Sequence, residues 1–541
     1  MAETSYDVVV IGGGISGLTT AYHLKKRDKN LRILVLEAKD RVGGRTQTVA
    51  LKARGGKEQW DVGGQWVGRC QPHIMALLLE LGLETHPQYT EGKKVQQLAG
   101  PEISTYSGDL PSLSVFALID LHRCINKVEN LRKLVNPADP YACPMAEEWD
   151  TITLEHFIQK QCYTQGAIDS ILVANRTIFG KESSQVSFLF WLMYCSAADG
   201  ILKICEAKEF TAQEGTIKGG AQQVSKLLAK SIGAENVRLG EPVSAIEQDS
   251  KVVKVTTTTG QSYTASFAVL ALPPPLMEKI QFNPPLPETK QQLCRTMVLG
   301  SYVKIILTFQ EAFWRTAGYS GEVVTNGGMT AVPNCSAGPL CIVYDACLHN
   351  GSPALLGFIG GDIKVEWAMQ SAEARRRAVL DQLEDYFGKD VYRCLDYVEK
   401  DWTQEPYSVG GPVCTMPPGT MPCFAKAIRQ PFERLHFAGT ETATVWCGYM
   451  SGAVQAGLRA AAEILEILRP QSLTSEDYCA LEGSRHATKP AQGLSKPRWL
   501  LQPRKAYRSV TFIRWTFGFC ALAALLYCAR RTRFTKFLPR F

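Results

Sequence analysis

The stretch from Asp7 to Glu37 constrains this chain more than any other. An apolar strand, DVVVIG, runs into Gly12, Gly14 and Gly17; the helix LTTAYHLKKR comes next, and a second strand, LRILVLEA, brings the chain to Glu37. A glycine at position 12 permits a tight turn, one at 14 lets backbone approach a pyrophosphate, and one at 17 lets helix and sheet pack closely. The helix N-terminus offers free N–H groups and the positive end of its dipole. A lone GxGxxG is weak evidence, but here a carboxylate stands about 20 residues past the last glycine, where adenosine ribose hydroxyls need an acceptor. The unit is therefore expected to bind a dinucleotide.

The segments beyond Glu37 point to FAD. Arg41, Val42, Gly43, Gly44 and Arg45 give a second glycine turn with a cation for phosphate charge, and DVGGQWVG places Gly64 beside Gln65 and Trp66, as a loop folded on a ribityl chain would require. FAGTET (Phe437 to Thr442) precedes the last long helix, whose N-terminus suits the charge that builds at the flavin O2 region on reduction. Strand-like runs then alternate with amphipathic helices, with a hairpin expected about Gly260. A chain of 541 residues accommodates two joined domains. The expected fold is α/β (α+β): a Rossmann-like FAD-binding domain from residues 1–90, 216–295 and 401–468, interleaved with a substrate-binding domain from 91–215, mainly helical, and 296–400.

Charge excludes one class of partner. From Arg485 onward there are thirteen Lys and Arg and no acid; without them the net +7 becomes −6, so the body offers no basic face to nucleic acid. Seventeen cysteines, with no CxxC pair, read as reduced thiols in a cytosol-facing protein and give no pattern for a metal site. Residues 510–529 are mostly apolar and about long enough to span a bilayer, with basic clusters on both sides. The expectation is a mobile linker at 469–509, a transmembrane tail anchor at 510–529 and a basic tail at 530–541. Basic flanks on a short helix favour the mitochondrial outer membrane over the endoplasmic reticulum, with the body facing the cytosol. A homodimer is compatible with this organisation.

GGGISG, LEAKDRVGGRT, DVGGQWVG, MAEEWDTIT, FNPPLP, LGSYVKIIL, FAGTETAT and GYMSGAVQAG occur in an order that resembles the flavin amine oxidases, most closely the monoamine oxidase branch. The resemblance runs from about residue 5 to 468. It implies an amine substrate, O2 as acceptor, and FAD contacts at Val243, Gly439, Thr440, Glu441 and Met450. It further implies that Lys304 holds a water against flavin N5, where a hydride equivalent arrives from the carbon next to the amine nitrogen. Trp402 and Tyr407 would flank the ring system, Tyr449 would form one wall of an aromatic cage, and Gln213 would be a polar cavity residue.

The chain departs from that branch at YSVGGPVCTMPPG. The flavin-linking cysteine falls on Gly411 and the second cage tyrosine on Pro412, while Cys414 lies three residues further along. FAD is therefore expected to be non-covalent. Glu206, seven residues before Gln213, lies where the family has an apolar gate, so a substrate with a second cationic end and an ordinary monoamine both stay open. Other readings are a polyamine oxidase, an L-amino-acid oxidase with Arg176 conceivable as its carboxylate partner, a porphyrinogen or carotenoid oxidoreductase, and a flavin-bearing membrane scaffold with lost turnover.

Overall fold

In the computed structural model, which describes residues 5–98, 100–328, 332–335 and 337–485, the strand Ser5–Ile11 lies inside an eight-stranded sheet. It runs parallel to Ile33–Leu36 on one side and to Ser262–Leu270 on the other. Val8, Val9 and Val10 are all fully buried, which is why this strand reads as a continuous apolar run rather than an alternating one. The hairpin expected at Gly260 is present, with Val253–Thr257 antiparallel to Ser262–Leu270 and Gly260 at φ +85°. Leu435–Phe437 joins the same sheet from the far end of the chain. Distant stretches of sequence thus meet at the C-terminal edges of these parallel strands, where open α/β sheets place ligands.

A second, seven-stranded sheet takes its strands from residues 93–106 and 302–401. Its strand Tyr302–Thr308 is buried along its whole length between Ala354–Gly360 and Asp396–Asp401. Helices Val115–Arg132, Gln165–Phe179 and Phe188–Ala197 belong to the intervening segment, and the last is buried on nearly every side. Between the sheets runs a cavity of about 570 Å³. Residues from both sheets line it.

The expected linker starts too early. Pro470–Ser472 forms a single turn and Ser475–Arg485 a helix packed on Met450–Leu468, with Leu481 buried. Asp477 fixes this helix to the first one, accepting from His23 Nε2 at 2.6 Å and from Arg27 at 2.9 Å, while Arg469 pairs with Asp28 at 2.7 Å. Pro and Ser composition suggested mobility, but buried polar anchors override it. Among the described residues no helix is long and apolar enough to cross a membrane; the run 510–529 and the rest of the expected linker lie outside them.

Candidate active site

One end of the cavity is built by glycine backbone. Gly12 has φ +110°, and a Cβ there would lie 2.8 Å from the Ala271 carbonyl, so only glycine makes this turn. Gly14 opens the helix Ile15–Arg27 with no side-chain cap, which leaves first-turn N–H groups free for a ligand. Gly14 bridges to Gly43, and both line the cavity. Gly17 does not line it; a Cβ there would meet the Gly12 carbonyl at 2.1 Å, so its place is helix-to-strand packing. Glu37 is buried and accepts from the Gly13 N–H at 2.6 Å and the Lys39 N–H at 2.9 Å, while desolvation raises its carboxyl above the ordinary range.

At the middle of the cavity stands Lys304, on the buried strand Tyr302–Thr308 and only 1% exposed. Its ammonium donates to the Gly63 carbonyl at 3.1 Å and to Gln65 Oε1, and the rings of Trp66 and Phe358 lie 5.7 and 5.6 Å away. Burial pushes it down to about 7, against the attraction of Asp61. Trp402 is pinned by its indole N–H on the Val62 carbonyl at 2.9 Å, and Tyr407, at φ +57°, lies half exposed at the cavity edge. Tyr449 lies 6.0 Å from Tyr194, ring to ring, at 33°. Tyr194 was not legible in sequence, and neither were Tyr344 and Phe358, which extend the aromatic lining through Trp66.

The far end is charged. Glu206 lines it, but its carboxylate is paired with Lys208 at 2.5 Å, and Lys208 also reaches Asp109. Glu322, a residue the sequence did not single out, lies alongside in a 3.0 Å pair with Lys94; burial raises its carboxyl. Gln213 donates to the Ile204 carbonyl at 3.1 Å, and its own oxygen is buried without a partner among the described residues.

The side chains of Glu441 and Arg176, both singled out in the sequence, are turned to partners other than the cavity. Glu441 does not line the cavity, because the turn Thr440–Thr442 aims its carboxylate at Arg45, at 2.5 and 3.0 Å. Arg45 does line it, with its charge already compensated by Glu441 and a further bond to the Pro412 carbonyl. Cys414 is fully buried in a two-residue strand paired with Val298–Leu299 and is absent from the lining, whereas Gly411 and Pro412 are present. Arg176 is held by Glu182 at 2.9 Å and is also absent, so the amino-acid oxidase reading loses its candidate. Gly64, Gln65, Trp66, Val243, Gly439, Thr440 and Met450 all line the cavity as expected.

These residues fit FAD. Two helices, opened by Gly14 and Tyr449, present uncapped N-termini to the same cavity, the faces of Gly14 and Gly64 carry room where side chains would stand, and Glu37 is held at the strand end. Over residues 15–465 the chain matches the family described as flavin containing amine oxidoreductase. It is 36% identical over 469 residues to the probable flavin-containing monoamine oxidase A of Dictyostelium discoideum, covering 86% of this chain and 99% of that one. To the flavin-containing amine oxidase A of Equus caballus it is 36% identical over 471 residues, covering 86% of each. Among solved structures, cyclohexylamine oxidase from Brevibacterium oxydans IH-35A is similar, with 32% identity, a TM-score of 0.78, and coverage of 86% of this chain and 100% of that chain. Wild-type putrescine oxidase bound to putrescine is similar at 28% identity and a TM-score of 0.79, with coverage of 86% and 99%.

Proposed function

The chain belongs to the flavin containing amine oxidoreductase family and carries out FAD-dependent oxidation of amines; from that premise we propose that Lys304, Trp402, Tyr407 and Tyr449 surround the reacting centre and that FAD is held without a covalent link. FAD held there would supply the two-electron chemistry that turns an amine into an imine and O2 into H2O2. The residues do the rest. Gly12, Gly14, Glu37, Gly64, Gln65, Trp66, Val243, Gly439, Thr440 and Met450 position the cofactor, while Tyr449 and Tyr194 make an apolar wall that disfavours the charged form of the arriving amine. Lys304 supplies a positive charge and a proton where O2 is reduced. The observation that carries this reading is the continuity of one cavity from Glu37 past Lys304 to Tyr449. Amine-dependent H2O2 release from the purified protein, over a panel of aromatic, aliphatic and polyamine substrates, tests it; no release with any of them would leave the scaffold reading standing.

Non-covalent attachment is expected from Gly411, which has no sulfur, and from Cys414, which is buried away from the lining. Acid precipitation should leave yellow flavin in the supernatant. A flavin-bearing peptide containing Cys414, or Cys205, which among the described cysteines lines the cavity, would refute it.

The charged far end favours an amine with a second cationic or polar group. Glu322 and Glu206 each face the cavity beside a lysine, and a distal ammonium that displaces one of these lysines keeps the pairing at a separation where a partly solvated pair is worth about 1 kcal/mol. In Glu322→Gln and Glu206→Gln the ratio of kcat/KM for a diamine to that for a monoamine of equal length should fall about 5-fold. An unchanged ratio in both means an ordinary monoamine substrate. We further infer a tail anchor from the apolar run 510–529 and its basic flanks, with the mitochondrial outer membrane favoured over the endoplasmic reticulum. Fluorescent fusions of the 486–541 segment would distinguish the two membranes, and diffuse fluorescence would dismiss the anchor.

A further inference from the structure

A second hollow, of about 40 Å³, lies beyond Gln65. Asp61, His86, Gln88, Thr216 and His349 help to wall it, and Gln65 is the one described residue that lines both it and the large cavity. It begins among the exposed Pro87, Gly219 and His349 and ends at the buried Asp61 and Gln65. Since a cavity needs roughly 10–15 Å³ to hold one water, this one has room for about three, with polar partners along it. At its inner end Gln65 Oε1 accepts from the Lys304 ammonium. Asp61 accepts from Thr48 at 2.6 Å and from the Ala221 N–H at 3.0 Å, and its charge acts on Lys304. At the outer end the rings of His86 and His349 lie 6.4 Å apart.

The reaction has a use for such a route. Reducing O2 to H2O2 takes two electrons and two protons. The α-carbon supplies both electrons and one proton, and the other hydrogens on nitrogen leave with the product as a protonated imine. When the imine leaves protonated in this way, one proton comes from outside the substrate, at a moment when product can still occupy the amine cavity.

We propose that this hollow is a proton port, through which solvent protons reach Lys304 by way of His86, Asp61 and the waters between them, independently of the amine cavity, with Gln65 holding the ammonium at the inner end. The proposal rests on the reading that Lys304 serves the O2 step. Lys304 is well placed to be refilled, because its ammonium, pushed down to about 7, gives up and regains a proton near neutral pH. The groups that face it are Asp61 and, across the strand pair, Lys400, which is itself paired with Glu405. Those around the hollow are His86 and His349, Lys218 paired with Glu84, and Asp345 paired with Arg315.

The test uses oxidised, FAD-loaded full-length protein and reads the flavin spectrum rather than turnover. A pH titration should show a spectral change with its midpoint near 7 that is lost in Lys304→Met. In a pH jump with cumylamine, an amine with no α-hydrogen, filling the amine cavity, the native protein should relax as fast as without it. His86→Trp and the surface variant His349→Trp, which narrow the mouth, should slow that relaxation about tenfold or more at an unchanged midpoint. Unchanged relaxation in both variants, or relaxation stopped by cumylamine alone, overturns the port and leaves the reading of Lys304 intact. A titration that survives in Lys304→Met overturns both.

Discussion

A lysine that is 1% exposed, with two neutral oxygens as its bonded partners, keeps its charge only in part near neutral pH, and this sets what Lys304 can do. Below about 7 it is an ammonium, which in the proposed role stabilises charge developing on O2; above, it is a neutral amine. Reoxidation of reduced enzyme by O2 should therefore slow as pH rises through about 7. In Lys304→Met it should slow about 100-fold and lose that pH dependence, while anaerobic reduction by amine changes much less. Stopped-flow measurement of the two half-reactions separates them, and equal losses in both would assign Lys304 to amine positioning instead. Tyr194 makes a second case. Its ring lies 6.0 Å from that of Tyr449 in the cavity lining, so Tyr194→Leu should lower kcat/KM for an aromatic amine about 5-fold, the value of about 1 kcal/mol of ring contact. Unchanged kcat/KM would show that the substrate does not touch this wall. Lys304 was legible because a strand lysine inside an apolar run, LGSYVKIIL, is unusual and matched a known motif. Tyr194 was not, because its helix Phe188–Ala197 is apolar all round and no periodicity shows which side meets the cavity.

Among the elements, those whose geometry needs glycine were the most legible. The turn after Ser5–Ile11 is dictated by Gly12 at φ +110° and Gly17 against the Gly12 carbonyl, constraints that no other residue meets. At Glu441, given as an FAD contact by the resemblance, the turn rotates the carboxylate onto Arg45, a pairing that sequence order alone does not reveal. The helix Ser475–Arg485 was missed for a different reason. Its stability comes from long-range anchors, Asp477 on His23 and Arg27 and a buried Leu481, which leave no periodic signal in a Pro- and Ser-containing stretch. Burial keeps His23 mostly neutral, so Arg27 carries the charge opposite Asp477. Truncation should respect this boundary: a chain ending at Arg485 should stay folded, and one ending at Arg469 should melt lower, because Arg27 loses its buried partner. Asp477→Ala should cost about 3 kcal/mol for the same reason. The Asp477 carboxyl is held below its ordinary range, so this contribution is full above the unfolded carboxylate range and is lost as pH falls through the lower folded value. Identical melting of the two truncated chains would show the helix to be an idle appendage.

Across the whole molecule, interleaving brings the two sheets to one cavity and also buries charge deep between segments distant in sequence. Lys290, from the helix Glu288–Thr296, donates to the Ala427 carbonyl and lies 3.4 Å from the centre of the Phe437 ring. Carbonyl and ring favour the ammonium, but a desolvated cation–π contact is worth about 2 kcal/mol, less than the several kcal/mol needed to bury an ion. Burial therefore wins and pushes Lys290 down to about 7, helped by repulsion from Arg459 and Arg429; Glu463, the nearby carboxylate, is already taken by Arg459 and His436. Proton counts give the sign for stability. Between about 7 and the ordinary lysine value the unfolded chain binds a proton that the folded one does not, so this group makes the protein more stable as pH rises, by at most about 1.4 kcal/mol per pH unit. Below about 7 the cost of charging Lys290 inside the fold is present in full. Lys290→Met keeps the volume and removes that cost, so the variant should melt above the native protein at about pH 6, with the difference shrinking steadily as pH rises toward about 9. Melting curves of both proteins across that range decide it, since a difference that stays constant with pH would mean that Lys290 keeps its proton throughout and that ring and carbonyl outweigh burial after all.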